Sequence, residues 1–218
     1  MKEFKFEKNK AVVTLTGEVN FQSISELVTA IDLAITYYFF DRIKIEINSP
    51  GGELKALQIF IAKLKDWRSR GVVIETHAMS NVASAAAVML SLGNVGYRTA
   101  MVDAEVLYHN VRVMGQMVIT SEKAKQLNDD LTKIDQKILN SLMEHNQECI
   151  EDTFNQGESL PLKPIKIGQK TIKPNTRKAL KGYTEYVKGL YQELFDMDVY
   201  LTAKQTVELK LIDEVTSV

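Results

Sequence analysis

The stretch RIKIEINSPGGELKALQIFIAKLKDWRSRGVVIET, Arg42 to Thr76, decides the fold class. It opens with a β-branched run, RIKIEIN at 42 to 48, that ends in the turn-forming Ser49-Pro50-Gly51-Gly52. Leu54 to Arg70 then repeats apolar residues at helical spacing, with Leu57, Phe60, Ile61, Leu64 and Trp67 on one side. VVIET at 72 to 76 returns to strand. Strand, helix and strand in 35 residues make a βαβ unit, whose two strands lie parallel because the chain must cross back over the sheet.

Outward from this unit the alternation continues. Residues 3 to 16 predict a first strand ending at Thr16-Gly17, and Ser23 to Phe40 a helix capped by Ser23 or Ser25. Downstream, Ala83 to Leu92 reads as a small-residue helix stopped by Gly93, and EVLYH at 105 to 109 as another strand. The pattern predicts an α/β fold with a mainly parallel sheet covered on both faces. Thr120 or Ser121 caps a long amphipathic helix, about 120 to 146, whose Ala124, Leu127, Leu131, Ile134, Ile138, Leu142 stripe serves its own domain or a partner. Between Glu151 and Gly182 the pattern dissolves. Prolines 161, 164 and 174 fall here, and residues 161 to 182 hold seven basic and no acidic side chains, which reads as an inserted loop or β-excursion. A helix near 183 to 195, a strand at Val199-Tyr200-Leu201 and a short helix capped by Thr202 before LIDEV follow.

Composition narrows the class further. With 218 residues, 45% apolar and 25% charged, and only 11 Gly and 4 Pro, the chain fits one domain, 1–218, and not a disordered or collagenous one. The 27 basic and 28 acidic residues nearly cancel, leaving no chain-wide footprint for nucleic acid. Cys149 is the single cysteine, so no internal disulfide forms, and no Cys/His cluster suggests zinc. Without a signal-peptide pattern or an uncharged apolar run of 18 residues, the expectation is a cytoplasmic protein away from membranes.

Ser84 is the first candidate for chemistry. It stands between a strand and an Ala-rich helix, where it is either a nucleophile or a helix cap; GxSxG is absent. A serine nucleophile needs a base, because its hydroxyl is barely ionised at neutral pH. His109 ends a predicted strand 25 residues on; His77 follows another strand, and His145 sits on the exposed long helix. Gly51-Gly52 is a turn or, because two glycines admit close approach, a source of N–H donors for an oxyanion.

INSPGG (47 to 52), ASAAAVMLSLGNVGYR (83 to 98), VLYH (106 to 109) and DVYLTAKQTVELKLIDEV (198 to 215) resemble the Clp protease proteolytic subunit (ClpP) family, as does the opening TLTGEV. The likeness covers about residues 11 to 145 and 196 to 215. It implies the ClpP/crotonase fold, a repeated β-β-α superhelix with a mainly parallel sheet and a protruding long helix. It further implies a serine endopeptidase acting through an acyl-enzyme, with Ser84 as nucleophile, His109 as general base and then acid, and Asp198 orienting the imidazole. Asp196 is the nearest rival of Asp198, which the following YLTA favours. Backbone N–H groups of Gly52 and Ala85 would form the oxyanion hole. No cofactor or metal is implied. The implied partners are a peptide or unfolded protein and further copies of the chain, in heptameric rings joined through the long helix.

Three departures accompany the resemblance. The family usually has GxAASMAA around the nucleophile, where this chain reads Ser80-Asn81-Val82-Ala83-Ser84-Ala85-Ala86-Ala87. The insertion before Asp198 is longer than the family's. The family's ATPase docking pocket is aromatic, whereas the strand before Ser49 carries Arg42, Lys44 and Glu46, which leaves an ATPase partner open and would suit a phage or mobile-element protease. The competing expectations are a catalytically silent ClpP-like scaffold and a crotonase-type acyl-CoA enzyme, which needs neither Ser84 nor His109. A Ser/Lys peptidase would need a positioned lysine where VLYH supplies histidine.

Overall fold

The computed structural model describes residues 5–7, 9–113, 118–161, 163–174 and 179–217. In chain order the first half forms β1 (Lys5–Glu7), β2 (Lys10–Thr16), α1 (Phe21–Thr36), β3 (Arg42–Ser49), α2 (Leu54–Ser69), β4 (Val73–Ala83), α3 (Ala85–Ser91), β5 (Arg98–Met101) and β6 (Glu105–Leu107). The second half forms α4 (Ser121–Asn155), β7 (Ile165–Ile167), β8 (Lys170–Ile172), α5 (Leu180–Met197), β9 (Tyr200–Thr202), α6 (Ala203–Glu208) and β10 (Glu214–Thr216). The main sheet runs β1-β2-β3-β4-β5-β10, with β6 on β4 and β9 on β6. Every pairing from β2 to β10 along that path is parallel, and within this sheet antiparallel pairing is confined to β1 with β2 and β9 with β6. This is the α/β architecture with a mainly parallel sheet and a long helix that the residue pattern predicted.

The parallel strands alternate a buried apolar face with a partly covered one. Ile43, Ile45 and Ile47 of β3 and Val13 and Leu15 of β2 are fully buried, each such side chain contributing roughly 1.5–3 kcal/mol. Against them pack Leu57, Phe60, Leu64 and Trp67 of α2, the stripe read from the sequence. Asp32 of α1 accepts from Trp67 Nε1 at 2.7 Å and pairs with Lys63 at 2.7 Å, tying α1 to α2.

Some boundaries differ from expectation. The stretch 3 to 16 is a hairpin, with residues 3, 4 and 8 outside those described. Asn20, not Ser23 or Ser25, caps α1: its side chain accepts the Ser23 N–H at 2.8 Å while the Ser23 hydroxyl accepts the Asn20 N–H at 3.0 Å. Either type satisfies the orphan donors of a first turn. α4 continues nine residues past the expected 146, because Asn146, Ile150 and Thr153 remain buried. The inserted segment is therefore shorter and partly ordered as the β7–β8 hairpin, with Ile165, Ile167 and Ile172 buried. Of its basic residues, Arg177 and Lys178 lie outside the described residues.

A buried arginine joins several of these pieces. Arg98 on β5 is fully buried; it donates to both Asp213 oxygens at 3.0 and 2.6 Å, to the Ser91 carbonyl at 3.1 Å, to Asn146 Oδ1 at 2.5 Å and to the Lys210 carbonyl at 3.3 Å. Burial alone would raise the Asp213 carboxyl, but the Arg98 bonds and charge carry it below the usual carboxylate range.

Candidate active site

β4 changes partner partway along its length. Thr76–Ala78 pair with β5, the register with β3 shifts between Ile47 and Ser49, and Asn81–Ala83 pair with β6. The chain then turns abruptly at Ser84, whose φ of 57° and ψ of −127° no β-strand or helix uses. A non-glycine residue there costs on the order of 1–3 kcal/mol, and such strain clusters at functional sites. Hydrogen bonds hold the turn from both sides: Ser84 N–H donates to Leu107 O at 2.8 Å, and its carbonyl accepts from Ala87 and Val88 at 3.0 and 3.2 Å. The hydroxyl makes no capping bond to α3, so the ordinary alternative for a serine at a helix start does not apply.

Gly51 and Gly52 lie against this turn. A Cβ at Gly51 would sit 2.5 Å from both Ala83 O and Ser84 Cβ, and one at Gly52 would sit 2.2 Å from Val19 O. Gly51 also has φ 87° and Gly52 φ 152°, so glycine is required by space and by backbone. The loop is fixed by Val19 N–H to Gly51 O and Glu53 N–H to Val19 O, both 2.7 Å. Among the described residues no hydrogen bond engages the N–H of Gly52 or of Ala85.

Ser84, Ala85, Gly51, Gly52 and His109 line one cleft of about 530 Å³, closed on other sides by Leu57, Val88, Ile138 and Phe195. That volume is in the range of ligand sites. His109 follows β6 by two residues and is half-buried. Its Nδ1 lies 2.6 Å from the Asn110 carbonyl, which can only accept, so Nδ1 carries the proton and Nε2 is the basic nitrogen. Asp198 ends α5 in the left-handed region, φ 53° and ψ 48°. Its Oδ2 lies 2.5 Å from Arg112 Nη2, and this bond holds the carboxyl below the usual carboxylate range. The structure thus brings Ser84, His109, Gly52 and Ala85 to one cleft, with Asp198 bonded to Arg112 and His109 to a backbone carbonyl.

Further acids surround the His109 loop. Asn110 donates its amide to Asp196 Oδ1 at 2.7 Å, and Val111 N–H donates to Asp135 Oδ1 at 2.7 Å. Burial pushes the Asp135 carboxyl up, opposed by the Val111 bond and reinforced by Asp196. Asp135 and Arg112 were not singled out from the sequence; an acid flanking the Leu131, Ile134, Ile138 stripe was the available signal for the first, while nothing in the sequence marked the second. The other histidines are engaged elsewhere. His77 is buried in β4 with Nδ1 2.7 Å from Thr99 Oγ1. His145 is not exposed as expected: its Nε2 donates to Gly93 O at 2.6 Å, and burial, helped by the Arg68 charge, drives it down to about 4. No helix among the described residues is long and apolar enough to cross a membrane.

Comparison with known proteins bears on the same residues. The chain is 29% identical over 154 residues to the ATP-dependent Clp protease proteolytic subunit 1 of Corynebacterium efficiens, covering 71% of this chain and 64% of that protein. It is 26% identical over 157 residues, with the same coverages, to the ATP-dependent Clp protease proteolytic subunit 2 of Corynebacterium jeikeium. The chain therefore spans just under two thirds of the length of these relatives. The Clp protease family model matches residues 4–158, a stretch that includes Gly52, Ser84, Ala85 and His109 and ends before Asp198. With that match extending over most of its length, the chain belongs to the Clp protease family.

Proposed function

We propose that this protein is a serine endopeptidase. The observation that carries the reading is Ser84, strained, uncapped and in one cleft with His109 and two free N–H groups. Ser84 Oγ attacks the scissile carbonyl as His109 Nε2 takes its proton. The developing oxyanion accepts from Gly52 and Ala85 N–H, donors worth about 3–4 kcal/mol each to such a transition state. His109 then protonates the leaving amine, and water activated by the same nitrogen hydrolyses the acyl-enzyme. Asp198 stabilises the imidazolium when it faces Nδ1. Membership of the family supports protein or peptide substrates and a homo-oligomeric ring, heptameric by resemblance, formed by a single peptidase domain.

The half-buried Leu127, Leu131 and Ile134 on α4 and the exposed Val118 and Ile119 beside its start support a subunit contact there. The silent-scaffold reading draws on the Asp198–Arg112 bond. A fluorophosphonate probe separates the two. Labelling at Ser84, abolished by Ser84→Ala and nearly so by His109→Ala, is the expected result, with the double variant losing little more peptide hydrolysis than either alone. An unreactive Ser84 in the intact protein would overturn the peptidase reading.

A further inference from the structure

Building on the peptidase reading above, we propose that Arg112 reads the substrate: it selects peptides presenting a carboxylate near the scissile bond, and in taking that carboxylate it releases Asp198 to His109. Arg112 lies three residues after the base on the same loop, and both line the cleft. Its side chain is half exposed, and among the described residues its ion-pair partner is Asp198, itself 44% exposed. A guanidinium offers a planar fork matched to one carboxylate, so Asp198 and an incoming acidic side chain compete for the same donors. An ion pair this open to solvent is weakly held and exchangeable.

The release has a receiver. His109 Nδ1–H is engaged by the carbonyl of its own neighbour, a neutral acceptor that supports an imidazolium less than a carboxylate does. His109 is close enough to help hold both the Asp198 and the Asp135 carboxyls down, while Arg112 on the same loop pairs with Asp198 at close range. Moving Asp198 from Arg112 to His109 therefore completes the imidazole's support in the same event that frees a cation for the substrate. The cleft lining also carries the opposite sign. Glu18 and Glu53 flank Gly52 there, both exposed, and repel an acidic side chain from the oxyanion side. A polarised cleft of this kind fixes the direction in which an acidic peptide lies.

Two measurements on Arg112→Gln in the full chain test this. The first compares cleavage of fluorogenic peptides that differ only in Glu or Gln at each position flanking the cleaved bond, together with the rate of Ser84 labelling by a neutral fluorophosphonate. The parent protein should prefer Glu at one position. The variant should lose that preference while labelling roughly two- to fivefold faster, the shift that breaking one exposed ion pair allows. A preference retained, or labelling slowed, overturns the proposal. The second follows the imidazole N–H proton of His109 by NMR, which needs no catalysis. A downfield histidine-to-carboxylate signal should appear in Arg112→Gln and vanish in Arg112→Gln/Asp198→Asn. If the parent already shows that signal and Asp198→Asn alone removes it, Arg112 does not withhold Asp198. If neither protein labels at Ser84, the peptidase reading fails and substrate selection with it, while the NMR signal still decides where Asp198 goes.

Discussion

The two walls of the cleft are held by different physics. On the sheet side, Ser84 is pinned by backbone bonds and by a glycine with no room for a methyl group. On the helical side, His109, Arg112 and Asp198 sit on a loop and a helix end, joined by hydrogen bonds and a half-exposed ion pair. Steric constraint sets a geometry once, at folding. Polar contacts between exposed groups can be exchanged for others of similar strength, so adjustment belongs to the His109 side and constancy to the Ser84 side.

The comparison breaks most visibly at Asp198. On the proposed mechanism, in which the carboxyl supports His109 and not the fold, Asp198→Asn should lower peptide turnover by on the order of 10^4 while the thermal midpoint stays unchanged. A comparable loss from Asp196→Asn instead would move the supporting acid two residues earlier in the chain. Next in size is Leu131→Glu on α4. If a second copy covers that stripe, a buried unpaired carboxylate costs several kcal/mol, and sedimentation should show smaller particles. An unchanged sedimentation profile would mean that the open part of α4 faces solvent in the assembly.

Gly51→Ala tests the opposite wall. A Cβ placed 2.5 Å from Ala83 O and Ser84 Cβ at positive φ should cost about 3 kcal/mol in urea unfolding and also slow Ser84 labelling. Stability and reactivity should fall together here, unlike at Asp198. Away from the cleft, where α4 meets Arg68 and Gly93, the fold titrates. His145 is held neutral with its value near 4, whereas an unfolded chain's histidine titrates near 6.5. Between those limits the unfolded state binds the extra proton, so stability is lost as pH falls from about 6.5 to 4, by on the order of 3 kcal/mol. His145→Gln should flatten that slope in unfolding measured at pH 7 and pH 5. The smallest effect is expected at Lys163, which is 75% exposed and 3.6 Å from Glu208; Lys163→Ala should change stability by less than about 0.5 kcal/mol.

What could be read from the sequence follows the same division. The β3–α2–β4 unit was legible because periodicity switches from two to 3.6 and back between residues 42 and 76. Ser84 and His109 stood out because each sits at a strand end, where topology alone brings side chains to one edge of a sheet. The partner of Asp198 was not legible, because spacing along the chain says nothing about which of two neighbours a half-exposed carboxylate will face. The cap of α1 was misassigned within the Asn20, Ser23, Ser25 triplet, all three being competent acceptors. The end of α4 was misjudged because Gln147 to Asn155 lacks a strong apolar stripe; Ile150 and Thr153 are buried by packing that local pattern does not encode.

Arg98 carries a consequence for how the chain is made. Its principal partner, Asp213, leaves the ribosome 115 residues after it, and the Lys210 carbonyl 112 residues after it. Until then a nascent chain can offer the guanidinium only Ser91 and Asn146, and burying it so poorly compensated is strongly unfavourable. The region around β5 should therefore stay open during synthesis and shut only when the 210–213 segment arrives. A chain cut short before Asp213 would keep that region exposed, marking itself as incomplete.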